Sequence, residues 1–210
     1  MNAATSDRWA RLWRQVSAAT GDPQPIYREL ASLYSQPHRH YHNLHHIAEC
    51  LAEFDSARPL ANQRVVVELA IWFHDAIYDT RAQDNEERSA ELAKLRIADA
   101  GGSAELCEAV AALVVATKTH EPSVHPDAPL VVDVDLSILG HPKERFQEYE
   151  TQIRREYDWV PEATFAAKRA EILERFLARK RLYTTPPFFD KYERQARTNL
   201  QDSIRTLTKS

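Results

Sequence analysis

The chain has 210 residues, with 27 basic and 31 acidic side chains, a formal net charge of −4 at pH 7, 4 glycines and 2 cysteines. That length can bury a core without disulfide or metal staples; the scarcity of glycine argues against a turn-rich sheet protein, and the near balance of charge argues against a nucleic-acid surface. Cys50 and Cys107 sit in apolar helical patterns with no CxxC partner and are expected to be reduced core thiols. No apolar run is long enough to span a bilayer and nothing resembles a signal peptide, so a cytoplasmic protein without a membrane partner is expected.

In chain order, Trp9, Leu12, Trp13 and Val16 recur at helical spacing over 6–16, with Ser6 or Asp7 as the expected cap. Pro23 and Pro25 interrupt the chain before a helix over 26–35, and a polar loop over 37–42 leads into a helix over 43–57 that Pro59 ends. The segment 62–78 is apolar on most sides, which predicts a central, buried helix. Further helices are expected from Asp84 or Asn85 to Ala100, stopped by Gly101 and Gly102, and from the Ser103 cap to Thr117. Residues 120–129, with three prolines, read as a loop. The alternation over 130–139 would suit a strand, but a lone strand leaves its backbone unpaired, so a helix is expected there too. Helices over 143–157, 162–181 and 188–207 close the chain. The aromatic residues at Trp9, Trp13 and Phe188–Phe189 pack either internally or against a second copy, which leaves a homodimer open.

Three clusters carry candidate chemistry. His42, His45 and His46 fall within little more than one helical turn, so His42 and His46, four residues apart, are expected to share a face. Such a pair serves either as a solvated helix entrance or as two nitrogens presented to one pocket. His74-Asp75 lies near the end of the most apolar helix, where an unpaired carboxylate costs several kcal/mol and therefore calls for a partner or a cation. The alternative is an Asp75 that ends the helix in solvent beside Tyr78 and Asp79. Asp133 and Asp135 cannot share a helical face, so at most one joins the histidines; the other orients a ligand or caps a helix. Two nitrogens with two carboxylates suit Mn²⁺, Fe²⁺, Zn²⁺ or Ni²⁺ better than Ca²⁺.

The order His … His-Asp … Asp resembles the HD superfamily of metal-dependent phosphohydrolases, and is similar to a bacterial family of predicted HD phosphohydrolases over most of the chain. The matching stretches are Tyr41-His42-Asn43-Leu44-x-His46-Ile47, Trp72-Phe73-His74-Asp75-Ala76-Ile77-Tyr78-Asp79, Asp84-Asn85-Glu86-Glu87-x-Ser89-Ala90 and Asp133-Val134-Asp135-Leu136-Ser137-Ile138-Leu139-Gly140, continuing to Arg169, Tyr183 and Ala196-Arg197. The resemblance implies an all-α HD-domain helical bundle with extra C-terminal helices. It would form one domain over 1–210: N-terminal helices over 1–36, a metal-site core over 37–140, and C-terminal helices over 141–210 packing on that core.

The resemblance assigns His46, His74, Asp75 and Asp135 as ligands of one or two divalent ions (Mn, Fe, Zn or Ni, with Mg as a further candidate). It places His42 as general acid, by similarity to cyclic-nucleotide phosphodiesterases, and Asp75 and Glu86 as the other catalytic carboxylates. His120, Asn85, Lys118 and Arg169 are candidates for a second ion or for substrate. The implied activity is metal-dependent hydrolysis of a nucleotide or another small phosphorylated metabolite. The alternatives are a di-iron oxygenase on the same scaffold and a non-catalytic regulatory module that binds metal or nucleotide.

Overall fold

The structure, a computed structural model, describes residues 4–16, 22–120 and 125–209. The regular secondary structure of those residues is all helical, in ten α-helices and two 3-10 turns, and none of the helices is long and apolar enough to cross a membrane. The chain divides into two compact units, 1–132 and 133–210.

In the first unit, α1 (Ser6–Trp13) is capped by Thr5, whose hydroxyl accepts from the Arg8 amide, one residue earlier than the sequence suggests. Its buried face carries Trp9, Leu12 and Trp13, and Trp9 meets Trp72 edge-on at 5.4 Å, so these aromatics pack within the unit. α2 (Gln24–Tyr34) follows, then α3 (Leu44–Ala57), which Asn43 caps by accepting from the His45 amide at 2.8 Å. A 3-10 turn over Arg58–Leu60 replaces the abrupt stop expected at Pro59.

The central helix α4 (Arg64–Phe73) is buried from Val66 to Phe73, as its apolar run requires. The two residues just before it are held from far along the chain: the Asp127 carboxylate accepts from the backbone of Asn62 and Gln63 at 2.8 and 2.9 Å. α5 (Asn85–Asp99) and α6 (Ala104–Thr119) form a packed pair, and α6 also packs on α4. Between them Gly101 adopts φ 80°, and a side chain at Gly102 would strike the Ile97 carbonyl at 2.9 Å. Ser103 caps α6 through the Leu106 amide. Cys50 and Cys107 are free and buried, as their apolar settings predict.

Helix α7 (Ala128–Asp135) runs across the boundary at Val132 and leads into a 3-10 turn over Leu136–Gly140, so the ambiguous 130–139 segment is helical. It starts earlier than expected, with Pro129 in its first turn, where a proline needs no amide partner. The rest of the predicted 120–129 loop includes 121–124, which lie outside the described residues.

The second unit continues with α8 (Lys143–Glu156), α9 (Glu162–Leu177) and α10 (Pro186–Leu207). α9 ends four residues before the expected 181, because Arg197 from α10 donates to the carbonyls of Leu177, Arg179 and Lys180 and holds that stretch out of the helix. Gly140 is required by close packing: a Cβ there would lie 2.5 Å from Tyr192 Cβ. Phe188 is buried, stacked beside Tyr183 and tilted against Tyr192 within the same unit.

Candidate metal centre

The site forms where α4 stops. The apolar pattern continues through Ala76, Ile77 and Tyr78, which is why a helix over 62–78 is the natural sequence expectation, yet α4 ends at Phe73. Its last carbonyls and those just beyond are taken by side chains from elsewhere. The Tyr34 hydroxyl donates to Trp72 O at 3.0 Å, and Arg39 donates to Asp75 O at 2.6 Å and Ala76 O at 2.8 Å. Competing donors of this kind end a helix without any glycine or proline.

The turn so formed throws His74 and Asp75 toward α3, where His46 sits on the first full turn. His46 Nε2 lies 3.1 Å from His74 Nε2 and 3.5 Å from Asp75 Oδ2, and His74 Nε2 lies 3.0 Å from the same oxygen. The histidine side chains are 2% and 3% exposed and Asp75 is 16% exposed, so the cluster is inside the protein with one open side. His74 Nδ1 is 2.9 Å from the Ile71 carbonyl, which can only accept, so the proton sits on Nδ1 and the Nε2 lone pair faces the cluster. When the imidazoles are neutral, the three facing atoms are electron-rich and a cation between them satisfies all three; without a cation, protonated imidazoles supply the positive charge beside Asp75.

The donor set fits a divalent ion. Bonds of about 2.1 Å at angles between a right angle and a tetrahedral one put ligand atoms about 3.0–3.4 Å apart, and the three observed separations bracket that range. Burial pushes the Asp75 carboxyl up, but the adjacent His74, His42 and His46 charges outweigh it and hold the group well below the usual carboxylate range.

The other predicted residues divide. His42 is not on α3: it precedes the Asn43 cap, so the shared helical face expected for His42 and His46 does not exist. Its ring nonetheless comes within 5.9 Å of His46 and stacks on Tyr78 at 4.1 Å, at the half-buried edge of the cluster. Glu86, on the first turn of α5, is half-buried; burial, and then the Asp75 charge, raise its carboxyl above the ordinary range.

Asn85 is committed to the backbone. It accepts from the Asp79 amide at 3.0 Å and donates to the Asp79 carbonyl at 2.9 Å. One turn later Ser89 does the same for Ile77, accepting at 3.0 Å and donating at 3.3 Å. The Asn85 and Ser89 pair thus shapes the 74–84 loop that presents His74 and Asp75. Lys118 pairs with Glu87 and donates to Gln83 O at 2.8 Å, at the far end of that loop. His120 caps α6 in the left-handed conformation (φ 51°) and is outside the groups of donor atoms gathered within 4.8 Å among the described residues.

In the second unit, Asp133 is buried and accepts from the Thr184 and Thr185 amides and the Thr185 hydroxyl at 2.9, 2.6 and 2.6 Å, which tethers the two residues leading into α10. Burial, ahead of these hydrogen bonds, sets its carboxyl above the ordinary range. Asp135, the last residue of α7, is half-buried. Arg169 is buried and bonded to Tyr149 Oη at 2.8 Å and to Glu150.

Sequence reasoning missed Arg39, Tyr34 and Asp127. Each is a polar residue in or beside a predicted loop or helix end, and only its long-range acceptor reveals its role. No family model, curated protein or solved structure matches the chain.

Proposed function

We propose that the chain is a metal-dependent phosphohydrolase of the HD type, acting on a nucleotide or another small phosphorylated metabolite. The observation that carries this reading is the convergence of His46 Nε2, His74 Nε2 and Asp75 Oδ2 at mutual distances of 3.0–3.5 Å in a mostly buried cluster. The family resemblance would make Asp135 a fourth ligand, and its substitution tests that assignment independently. A divalent cation bound there would acidify water toward neutral pH and offset phosphoryl charge.

The chain's own residues supply the rest. Glu86, its carboxyl raised by burial and by Asp75, takes the proton of the attacking water. The water oxygen forms the new bond to phosphorus as the ester bond breaks. His42, held against Tyr78 at the edge of the cluster, gives its proton to the leaving oxygen.

The test is elemental analysis of the purified full chain beside His46→Ala, Asp75→Ala and Asp135→Ala, followed by phosphate release from a nucleotide panel. About one or two equivalents of transition metal are expected, lost in the substituted chains, with phosphate release falling at least about a hundredfold in Asp75→Ala. Absence of metal after incubation with Mn²⁺ or Fe²⁺, or full activity in metal-free Asp75→Ala, sinks the hydrolase reading.

A further inference from the structure

Arginine in a polar segment such as 37–42 is ordinarily solvated. Arg39 is instead 6% exposed. Its Nη1 donates to two carbonyls at once, His42 O at 3.1 Å and Asp75 O at 2.6 Å, while Nη2 donates to Ala76 O at 2.8 Å and Nε to Gln36 Oε1 at 3.1 Å. The guanidinium carbon lies 5.1 Å from the Tyr34 ring and 5.5 Å from the Tyr78 ring, and Tyr78 in turn stacks on His42. Burying this charge is costly. Bracing a single loop would not require it, since a neutral amide suffices, as Asn85 shows at Asp79 further along the 74–84 loop.

What the planar fork does that an amide or ammonium does not is reach three carbonyls from two separate chain segments. We propose that Arg39 is a positioning residue that locks the segment carrying His42 to the turn carrying Asp75, and so sets the geometry in which the cluster takes a cation. This rests on the reading of His46, His74 and Asp75 as cation ligands. By holding the peptide that follows Asp75, Arg39 limits the directions its carboxylate takes; by holding the His42 carbonyl, it keeps that ring at the cluster's edge.

The test is Co²⁺ titration of the full chain, followed by visible absorption, with the melting temperature of the cation-free chain measured in parallel. Arg39→Lys and Arg39→Gln are compared with Asp127→Asn, which weakens the hold on the chain before the opposite end of α4 but leaves the link from His42 to Asp75 intact. The expected result is a wild-type Co²⁺ dissociation constant and spectrum in Asp127→Asn. In the Arg39 variants the constant should rise about tenfold or more, with a changed visible band. If Arg39→Gln fails to fold, Arg39→Lys, which keeps the charge and part of the hydrogen bonding, decides the matter. A folded Arg39→Lys with wild-type affinity and spectrum overturns the positioning role alone. Failure of the wild-type chain to bind Co²⁺ overturns the cation reading and this proposal with it.

Discussion

Asp75 in the first unit and Asp133 in the second are both acids set in apolar sequence, and the protein uses them in opposite ways. Asp133 is consumed: two backbone amides and a hydroxyl at the start of α10 occupy its oxygens. Glu193 behaves likewise, accepting from the Leu182 and Tyr183 amides. Asp75 instead turns an oxygen toward two imidazoles whose neighbours are already arranged around it. A buried acid facing amides is a structural cap, whereas one facing other potential ligands is a site. The difference lies in what surrounds the carboxylate, since the local sequence is apolar in both cases.

The sharpest way to break this comparison is to remove each acid in turn. Asp133→Ala leaves the part-buried Thr184 and Thr185 amides ahead of α10 without their acceptor and should cost about 2 kcal/mol in denaturant unfolding, with metal content per folded chain unchanged. Asp75→Ala should reverse the pattern, losing the cation while the cation-free chain stays within about 1 kcal/mol of wild type. Equal stability losses in the two variants would erase the distinction.

A smaller effect is expected at the loop that serves the site. Asn85→Ala removes both hydrogen bonds to Asp79 and should destabilise the chain by about 1 kcal/mol, seen as faster amide exchange in 77–84 with slow exchange retained in α4. The smallest concerns Glu86. Because its folded carboxyl is raised, its favourable contribution is complete below the unfolded carboxylate range and is lost as pH rises through the folded value. Glu86→Gln should therefore gain stability relative to wild type between pH 4 and pH 7, and a gap in denaturation midpoint that stays flat across that range would contradict the burial argument.

Much of this architecture is legible in the chain itself, and the reasons are local. Asn43 and Ser103 are competent caps before apolar periodic runs, Gly101 and Gly102 supply the backbone freedom that stops α5, and 66–73 is too apolar to lie anywhere but in the core. His46, His74 and Asp75 stand out because ionisable groups inside such runs need partners. What local pattern misreads is the end of α4, because Ala76, Ile77 and Tyr78 continue the apolar run and nothing nearby interrupts it. It likewise misplaces His42, which a periodicity argument puts on α3 although Asn43 begins that helix after it.

Helix existence and the identity of the central apolar face were thus determined by the sequence alone, since capping and periodicity act over a few residues. The point where α4 breaks, the meeting of His46 with the His74–Asp75 turn, and the division of labour between Asp75 and Asp133 were decided only by tertiary structure. Each depends on a hydrogen-bond partner or a facing side chain many residues away: Arg39 for the turn, α3 for the cluster, and the start of α10 for Asp133. A donor's choice among distant carbonyls is a property of packing that no local pattern encodes.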